Sequence, residues 1–245
     1  MTRSTGKIRL YVDAALAPGA SVALNRDQAH YLGAVMRRGV GDDLLVFNGA
    51  DGEWRAEIAA INKRQGVLVM QEQTRPQTTG PDVWLMFAPI KKARTDFIVE
   101  KAAEMGVSRI MPVFTQHTNA ERVRGDRLRA HAVEAAEQCG LLWVPGVEEP
   151  AKLSGVLDRW ENTRRIMFCD ETADHGAAAA TLGAAGSGPW AILIGPEGGF
   201  SKDEVSRLRA RAEATPVSLG PRILRADTAA VAALTLWQTT LGDWR

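Results

Sequence analysis

Two glycine-rich segments near the C-terminus hold the residues best suited to chemistry. The first runs Ile192-Leu193-Ile194-Gly195-Pro196-Glu197-Gly198-Gly199-Phe200, an apolar run ending in a loop nearly free of side chains. The second runs Val217-Ser218-Leu219-Gly220-Pro221-Arg222-Ile223-Leu224-Arg225-Ala226-Asp227. Each reads as a strand, a Gly-Pro turn, then polar or charged residues leading into a helix. Glycine lets backbone approach a ligand closely and take positive φ, while proline fixes the turn and removes a donor. Two such loops at the ends of two strands make one pocket built mostly of backbone amides and carbonyls. Backbone from Ile194, Gly195, Pro196, Glu197, Gly198 and Gly199, and from Leu219, Gly220, Ile223 and Leu224, suits an adenine edge. Ile194, Leu219, Ile223 and Leu224 are apolar enough to sandwich its faces. Arg222 and Arg225 are the charged groups nearest the second loop. Each either braces it by pairing with Glu197 or Asp227, or acts on what the pocket binds.

Competing phosphate sites are absent. A dinucleotide fingerprint needs G-x-G-x-x-G after an early strand. Gly183 to Gly188 (GAAGSG) has the wrong order and follows an Ala-rich stretch read as loop. No G-x-x-x-x-G-K-[ST] segment occurs either, so the pocket is not one for a triphosphate.

The elements that must position these loops follow from periodicity. Ile8–Val12, Ser21–Leu24, Asp43–Asn48, Gly52–Asn62 and Gly66–Gln71 read as strands, with a hairpin turn at 48–52. One helix interrupts them, Asp27 to Arg37, with Asp27 as N-cap. Five strands and a helix suggest a small β-barrel over residues 1–73, and the Pro/Gly-rich stretch Gln73–Asp82 a linker. From 82 to 245 strands and helices alternate: strands at Val83–Ala88, Arg109–Phe114, Arg165–Asp170, Trp190–Ile194 and Pro216–Leu219, helices at Thr95–Met105 and Asp126–Gln138. Ser201 and Glu204 form a capping box that opens a further helix. Asp227 is read as the cap of a last helix whose Ala230, Leu234, Trp237 and Leu241 share one stripe. Such alternation implies a mostly parallel sheet with helices on both faces, an α/β fold.

The chain has 245 residues, 24% charged and 45% hydrophobic, with a formal net charge of +1. That balance does not announce a nucleic-acid binder, but charge is uneven. Residues 91–129 hold nine Lys/Arg against five Asp/Glu, a local +4, and phosphate contact needs only a local patch. Lys91, Lys92 and Arg94 precede Asp96 at the start of a helix, where cations are unfavourable; phosphate contact would explain them. Glu100 and Glu104 lack the second signature that a hydrolase would need. No run approaches the roughly 18 apolar residues of a membrane span, and the N-terminus lacks the apolar core of a signal peptide. Cys139 and Cys169 read as buried free thiols of a reducing cytoplasm. His30, His117, His131 and His175 show no metal-ligand spacing, so no metal is expected.

GPEGGFS followed by LGPRILRADTA resembles the bacterial uracil-N3 methyltransferases of small-subunit ribosomal RNA, within the SPOUT superfamily. The similarity extends through KKARTDFIVEKAAEMG (91–106), RIMPVFTQHT (109–118) and EAAEQCGLLWVP (134–145), and more weakly to HYLGAVMRRGVG (30–41). Asp227 is one departure, since glutamate is more frequent there. The resemblance implies a PUA-like N-terminal barrel and a C-terminal trefoil knot, which no periodicity would suggest. It implies S-adenosylmethionine as cofactor, a uridine of 16S rRNA or the 30S subunit as substrate, a homodimer, and a cytoplasmic location.

Uridine N3 is a weakly acidic imide, not nucleophilic until it loses its proton. Arg225 beside O2 or O4 would stabilise the anion by charge-assisted hydrogen bonds; Glu197 would act as base or orient Arg225. Arg9, Arg37 and Arg38, with His30, are candidates for a second RNA-holding patch. Two other readings stay open: methyl transfer to a ribose 2′-oxygen or another base, and a non-catalytic RNA-binding assembly factor.

Overall fold

The computed structural model describes residues 8–120, 123–170, 173 and 178–245; His175 lies outside them. Two compact units emerge from the contacts, one of residues up to Thr79 with Ala136–Trp143, the other of Gly80–Ala135 with Val144–Arg245. The sequence pattern puts 136–143 in the second domain. In the structure they pack with the first.

The first unit contains β1 (Arg9–Tyr11), β2 (Ser21–Leu24), α1 (Arg26–His30), β3 (Asp43–Phe47), β4 (Glu53–Ile61) and β5 (Gly66–Arg75). Their order is β1-β3-β4-β5-β2, with β1 parallel to β3 and the remaining pairs antiparallel. Among the described residues this ladder leaves β1 and β2 at its two ends. Val22, Leu24, Val46, Ile58, Leu68 and Met70 share its core with Leu32. Asn25, not Asp27, caps α1: its side chain accepts from the Gln28 amide, and the Gln28 side chain accepts in return from the Asn25 amide. Asp27 lies inside the first turn, where a carboxylate suits the dipole. The expected helix continues as a π-helical turn over Tyr31–Val35 and ends before Arg37, which takes a φ of 52°. The 48–52 turn forms as expected, with Asn48 Oδ1 accepting from the Ala50 and Asp51 amides. β5 runs four residues past Gln71 into the expected linker.

The second unit is a parallel sheet. Its elements are β6 (Val83–Phe87), α2 (Lys92–Glu104), β7 (Arg109–Phe114), α3 (Gly125–Cys139, whose last four residues fall in the first unit), β8 (Gly146–Val147), β9 (Ala151–Lys152), α4 (Leu153–Asp158), β10 (Arg165–Cys169), α5 (Ala178–Ala185), β11 (Trp190–Ile194), α6 (Lys202–Arg209), β12 (Ala214–Val217) and α7 (Ala226–Thr240). Strand order is β12-β10-β11-β6-β7-β8, with β9 also on β7. Alternate residues feed two cores, as period-2 side chains must. Val83, Leu85 and Phe87 of β6 and Trp190, Ile192 and Ile194 of β11 pack under α2 and α7. Met86, Ala191 and Leu193 face the other way, with Leu153 and Leu157 of α4 and Leu208 of α6. Both faces are covered, which is why β11 is wholly apolar. The Ala-rich stretch before Gly186 is helix α5, not loop: Leu182 is its one buried anchor among the described residues. No helix among the described residues is long and apolar enough to cross a membrane.

The two thiols differ. Cys139 is exposed, against expectation, because it falls at the last position of α3. Cys169 ends β10, and burial pushes its thiol up to about 12. A thiol-specific disulfide reagent at pH 8 is therefore expected to modify Cys139 at once and Cys169 only on unfolding, since the thiolate is the reactive form. Two fast equivalents per chain would contradict this.

Candidate active site

The two glycine loops do converge. Ile194, Gly195, Pro196, Glu197 and Gly199 from the end of β11 line a cavity of about 160 Å³ with Leu219, Gly220, Ile223 and Leu224 from the segment after β12. Parallel strands on either side of β10 place them there, because β10 pairs with both β11 and β12. Pro196 O accepts from Gly199 N at 2.9 Å, closing a turn in which Gly199 takes a φ of 69°. Gly220 has a φ of 108°, which strains any residue with a Cβ. Gly195 has a different reason: a Cβ there would sit 3.0 Å from the Phe200 ring. Gly198 does not line this cavity, and a Cβ on it would meet His117 at 3.4 Å. Ile223 is 85% exposed, at the lip rather than over a ligand face.

The charged residues are arranged otherwise than expected. Glu197 pairs with Arg94, at 3.1 Å, and not with Arg222 or Arg225. Arg94 also reaches Asp227 at 3.7 Å. One guanidinium thus ties the first turn of α2 to the first loop and to the start of α7. Arg94, which the sequence suggests for phosphate contact, is paired with carboxylates here. Arg225, not Asp227, is the N-cap of α7, with extended backbone (ψ 152°) and an exposed side chain. It stands between Leu224 and Ala226, both of which line the cavity, without lining it itself.

A second, larger cavity of about 570 Å³ lies against the first and shares Pro196 and Glu197 with it. Lys91 and Lys92 line it from α2, with Arg124, Arg127 and His117. Lys91 and Lys92 are exposed, at the N-cap and first position of α2. The floor carries Asp96, 7% exposed, hydrogen-bonded by Arg127. The Arg124 guanidinium holds the exposed Asp126 carboxyl below its ordinary value. None of His117, Asp96, Arg124 and Arg127 is expected as a site residue from the sequence, although Asp96 and His117 fall in segments that carry the family resemblance and the excess of cations over 91–129 includes both arginines.

In the first unit, Arg9 is internal. Its guanidinium pairs with Glu53 at 2.8 Å, donates to the carbonyls of Ala136, Glu137 and Leu141, and stacks 4.5 Å from the Phe47 ring. The guanidinium makes four donor contacts within the unit and the side chain is 10% exposed, so the structure gives Arg9 a bracing role where the sequence suggests an RNA contact. Arg37 and His30 are exposed, and Arg38 half-buried. Among the described residues no group of three His, Cys, Asp or Glu side chains could hold a metal ion.

Comparison with known proteins places this geometry. Residues 78–238 match the family described as an RNA methyltransferase domain, and residues 24–70 the RNA methyltransferase PUA domain. Fold and site together define an RNA methyltransferase with a PUA-like N-terminal unit. The chain is 30% identical over 228 residues to ribosomal RNA small subunit methyltransferase E of Rickettsia conorii, covering 92% of this chain and 93% of that protein. The Bacillus subtilis protein of that name is 27% identical over 89% of this chain and 91% of its own. The crystal structure of a ribosomal RNA small subunit methyltransferase E from Neisseria gonorrhoeae, bound to S-adenosyl methionine, superposes with a TM-score of 0.87 at 26% identity, over 98% of this chain and 100% of that one. The chain belongs to the ribosomal RNA small subunit methyltransferase E family.

Proposed function

We propose that this chain uses S-adenosylmethionine to methylate N3 of one uridine in the decoding region of 16S rRNA. The observation that carries the reading is the pair of adjoining cavities: a backbone-walled pocket beside a cationic cleft, in a chain of a ribosomal RNA methyltransferase family. Ile194, Leu219 and Leu224 supply the apolar walls, and the 194–199 and 219–224 backbone the donors and acceptors, that an adenine needs. About 160 Å³ is small beside the ~300–1,000 Å³ of whole-ligand sites, so this pocket fits the base end of the cofactor. When bound, the cofactor supplies the methyl group.

The residues of the chain do the rest. Lys91 and Lys92 hold phosphate at the cleft, with Arg37 and Arg38 a second contact on the N-terminal unit. Arg225, at the lip of the pocket, stabilises the negative charge that develops on the imide oxygens. Glu197 keeps Arg94 in place rather than serving as a base, because its carboxylate is already paired. A homodimer, a cytoplasmic location and a trefoil knot through the C-terminal segment complete the reading.

The test is methyl transfer from labelled S-adenosylmethionine to 30S subunits and to free 16S rRNA, followed by nucleoside mass spectrometry. 3-Methyluridine is the expected product. A ribose-methylated nucleoside, or binding of cofactor without transfer, would overturn the reading. The cleft has its own test. Lys91→Ala/Lys92→Ala is expected to flatten the slope of log affinity against log salt by about 1.4, at ~0.7 per contact to single-stranded RNA. Cofactor affinity should stay as in the wild type. An unchanged slope would return both lysines to a merely solvated helix end.

A further inference from the structure

We infer that His117 is the group that accepts the N3 proton of the uracil, an assignment that rests on the methyltransferase reading above. His117 follows β7 in the segment Thr115-Gln116-His117-Thr118 and packs against the first glycine loop. Its Nδ1 lies 3.2 Å from the carbonyl oxygen of Gly198 and 3.2 Å from that of Gly199. A carbonyl oxygen only accepts, so Nδ1 carries the hydrogen and donates it, shared between the two. In a neutral imidazole the other nitrogen is then bare. The loop backbone therefore fixes the tautomer that leaves Nε2 with a free lone pair. The ring is exposed and lines the larger cavity, which shares Pro196 and Glu197 with the cofactor pocket.

Those two facts together make a base rather than a packing residue. The nearby carboxylates are already engaged, Glu197 with Arg94 and the buried Asp96 with Arg127. The other charged groups lining that cavity are Lys91, Lys92 and Arg124. All three are cations, which favour an imide anion over an imide. In the step, Nε2 takes the N3 proton and the N–H bonding pair stays on the uracil ring. That pair forms the bond to the methyl carbon of a methylsulfonium donor, whose carbon–sulfur pair returns to sulfur. The imidazolium then yields its proton to water.

A choice of substitutions separates this role from a structural one. His117→Asn keeps an amide N–H where Nδ1 stood, so the hydrogen bond to the loop survives while the base is gone. His117→Ala loses both. Single-turnover methylation of 30S subunits at saturating cofactor and RNA is expected to fall about 100-fold or more in His117→Asn, the usual contribution of a general base. Its rate should climb steadily with pH, because hydroxide replaces the missing base, and that climb should be steeper than in the wild type. Cofactor affinity and melting temperature should match the wild type. A loss below tenfold in His117→Asn with a large loss in His117→Ala would make the residue a loop brace and overturn the proposal. Absence of 3-methyluridine from the wild-type enzyme would instead overturn the functional reading, and this proposal with it. A readout independent of turnover is the long-range proton–nitrogen correlation spectrum of the cofactor-free protein, with the His117 signal assigned by its loss in His117→Asn. A neutral ring protonated at Nδ1 is expected. Protonation at Nε2 would refute the assignment whatever the kinetics.

Discussion

Arg225→Ala is expected to lose about 100- to 1000-fold in turnover while binding S-adenosylmethionine almost normally. One charged donor aimed at developing charge in a water-excluded site contributes roughly 3–4 kcal/mol to the transition state. The expectation rests on the catalytic role proposed for Arg225, whose neighbours Leu224 and Ala226 line the pocket. Arg225 caps α7 through backbone alone, with no side-chain capping bond, and its side chain is exposed beside the lip formed by Leu224. The ion pair that braces the first loop belongs to Arg94, so deleting Arg225 leaves that brace intact. Melting temperature should barely move. Arg225→Lys keeps the charge without the planar fork and should recover only part of the loss. Raising pH should also restore some activity to the alanine variant, since the imide then ionises unaided. The measurement is single-turnover methylation beside calorimetric cofactor binding. Weak cofactor binding and a lower melting temperature, with normal turnover per bound cofactor, would make Arg225 structural and sink the catalytic assignment.

Gly195→Val should abolish useful cofactor binding for a reason of packing. A Cβ at 195 would lie 3.0, 3.1 and 3.3 Å from three carbons of the Phe200 ring, inside the ~3.5–4.0 Å of a comfortable carbon contact. Phe200 packs against the core that holds Leu193 and Leu208, so the ring cannot swing away cheaply. Overpacking of this kind costs about 1–3 kcal/mol. Displacing the 195–199 loop relieves it, and that displacement dismantles one wall of the pocket. At the upper end of the range the penalty corresponds to about 100-fold in affinity. Titration calorimetry with S-adenosylmethionine on a variant shown folded by circular dichroism measures it. Wild-type affinity would mean the loop does not touch the ligand.

Much of the scaffold is legible in the sequence because local signals and burial agree. The capping box of Ser201 and Glu204 opens α6 as expected, and both of its bonds form. The stripe Ala230, Leu234 and Trp237 is buried in α7. Errors cluster where two local signals compete. Asn25 and Asp27 are both good caps, and Gln28, whose side chain accepts from the Asn25 amide, decides between them. Asp227 has the residue type of a cap, yet the extended backbone falls at Arg225. Short elements such as β8 and β9, two residues each, carry too few side chains for a period to show.

The site is half legible for a similar reason. Gly-Pro loops announce themselves, and five of the residues expected from the first loop and four from the second share one cavity. Ion pairs do not announce themselves. Arg94 finds Glu197 across 103 positions, and Arg9 finds Glu53 across 44. Residue type says only that an arginine will be satisfied somewhere. Whether by a carboxylate or by a phosphate depends on which strands the topology makes neighbours.

Pro196 and Glu197 form a party wall: each looks into the small cavity on one side and the large one on the other. A ligand in either chamber touches residues that shape the other, so any shift it causes in them couples the two occupancies. Linkage then imposes a reciprocity: the factor by which cofactor changes the affinity for RNA equals the factor by which RNA changes the affinity for cofactor. Arg94 clasps Glu197 from α2 and reaches Asp227 in α7, which ties that wall to both helices. On the proposed reading, with cofactor in one chamber and RNA at the other, Pro196 and Glu197 are the residues through which the two substrates would sense each other before any methyl group has moved.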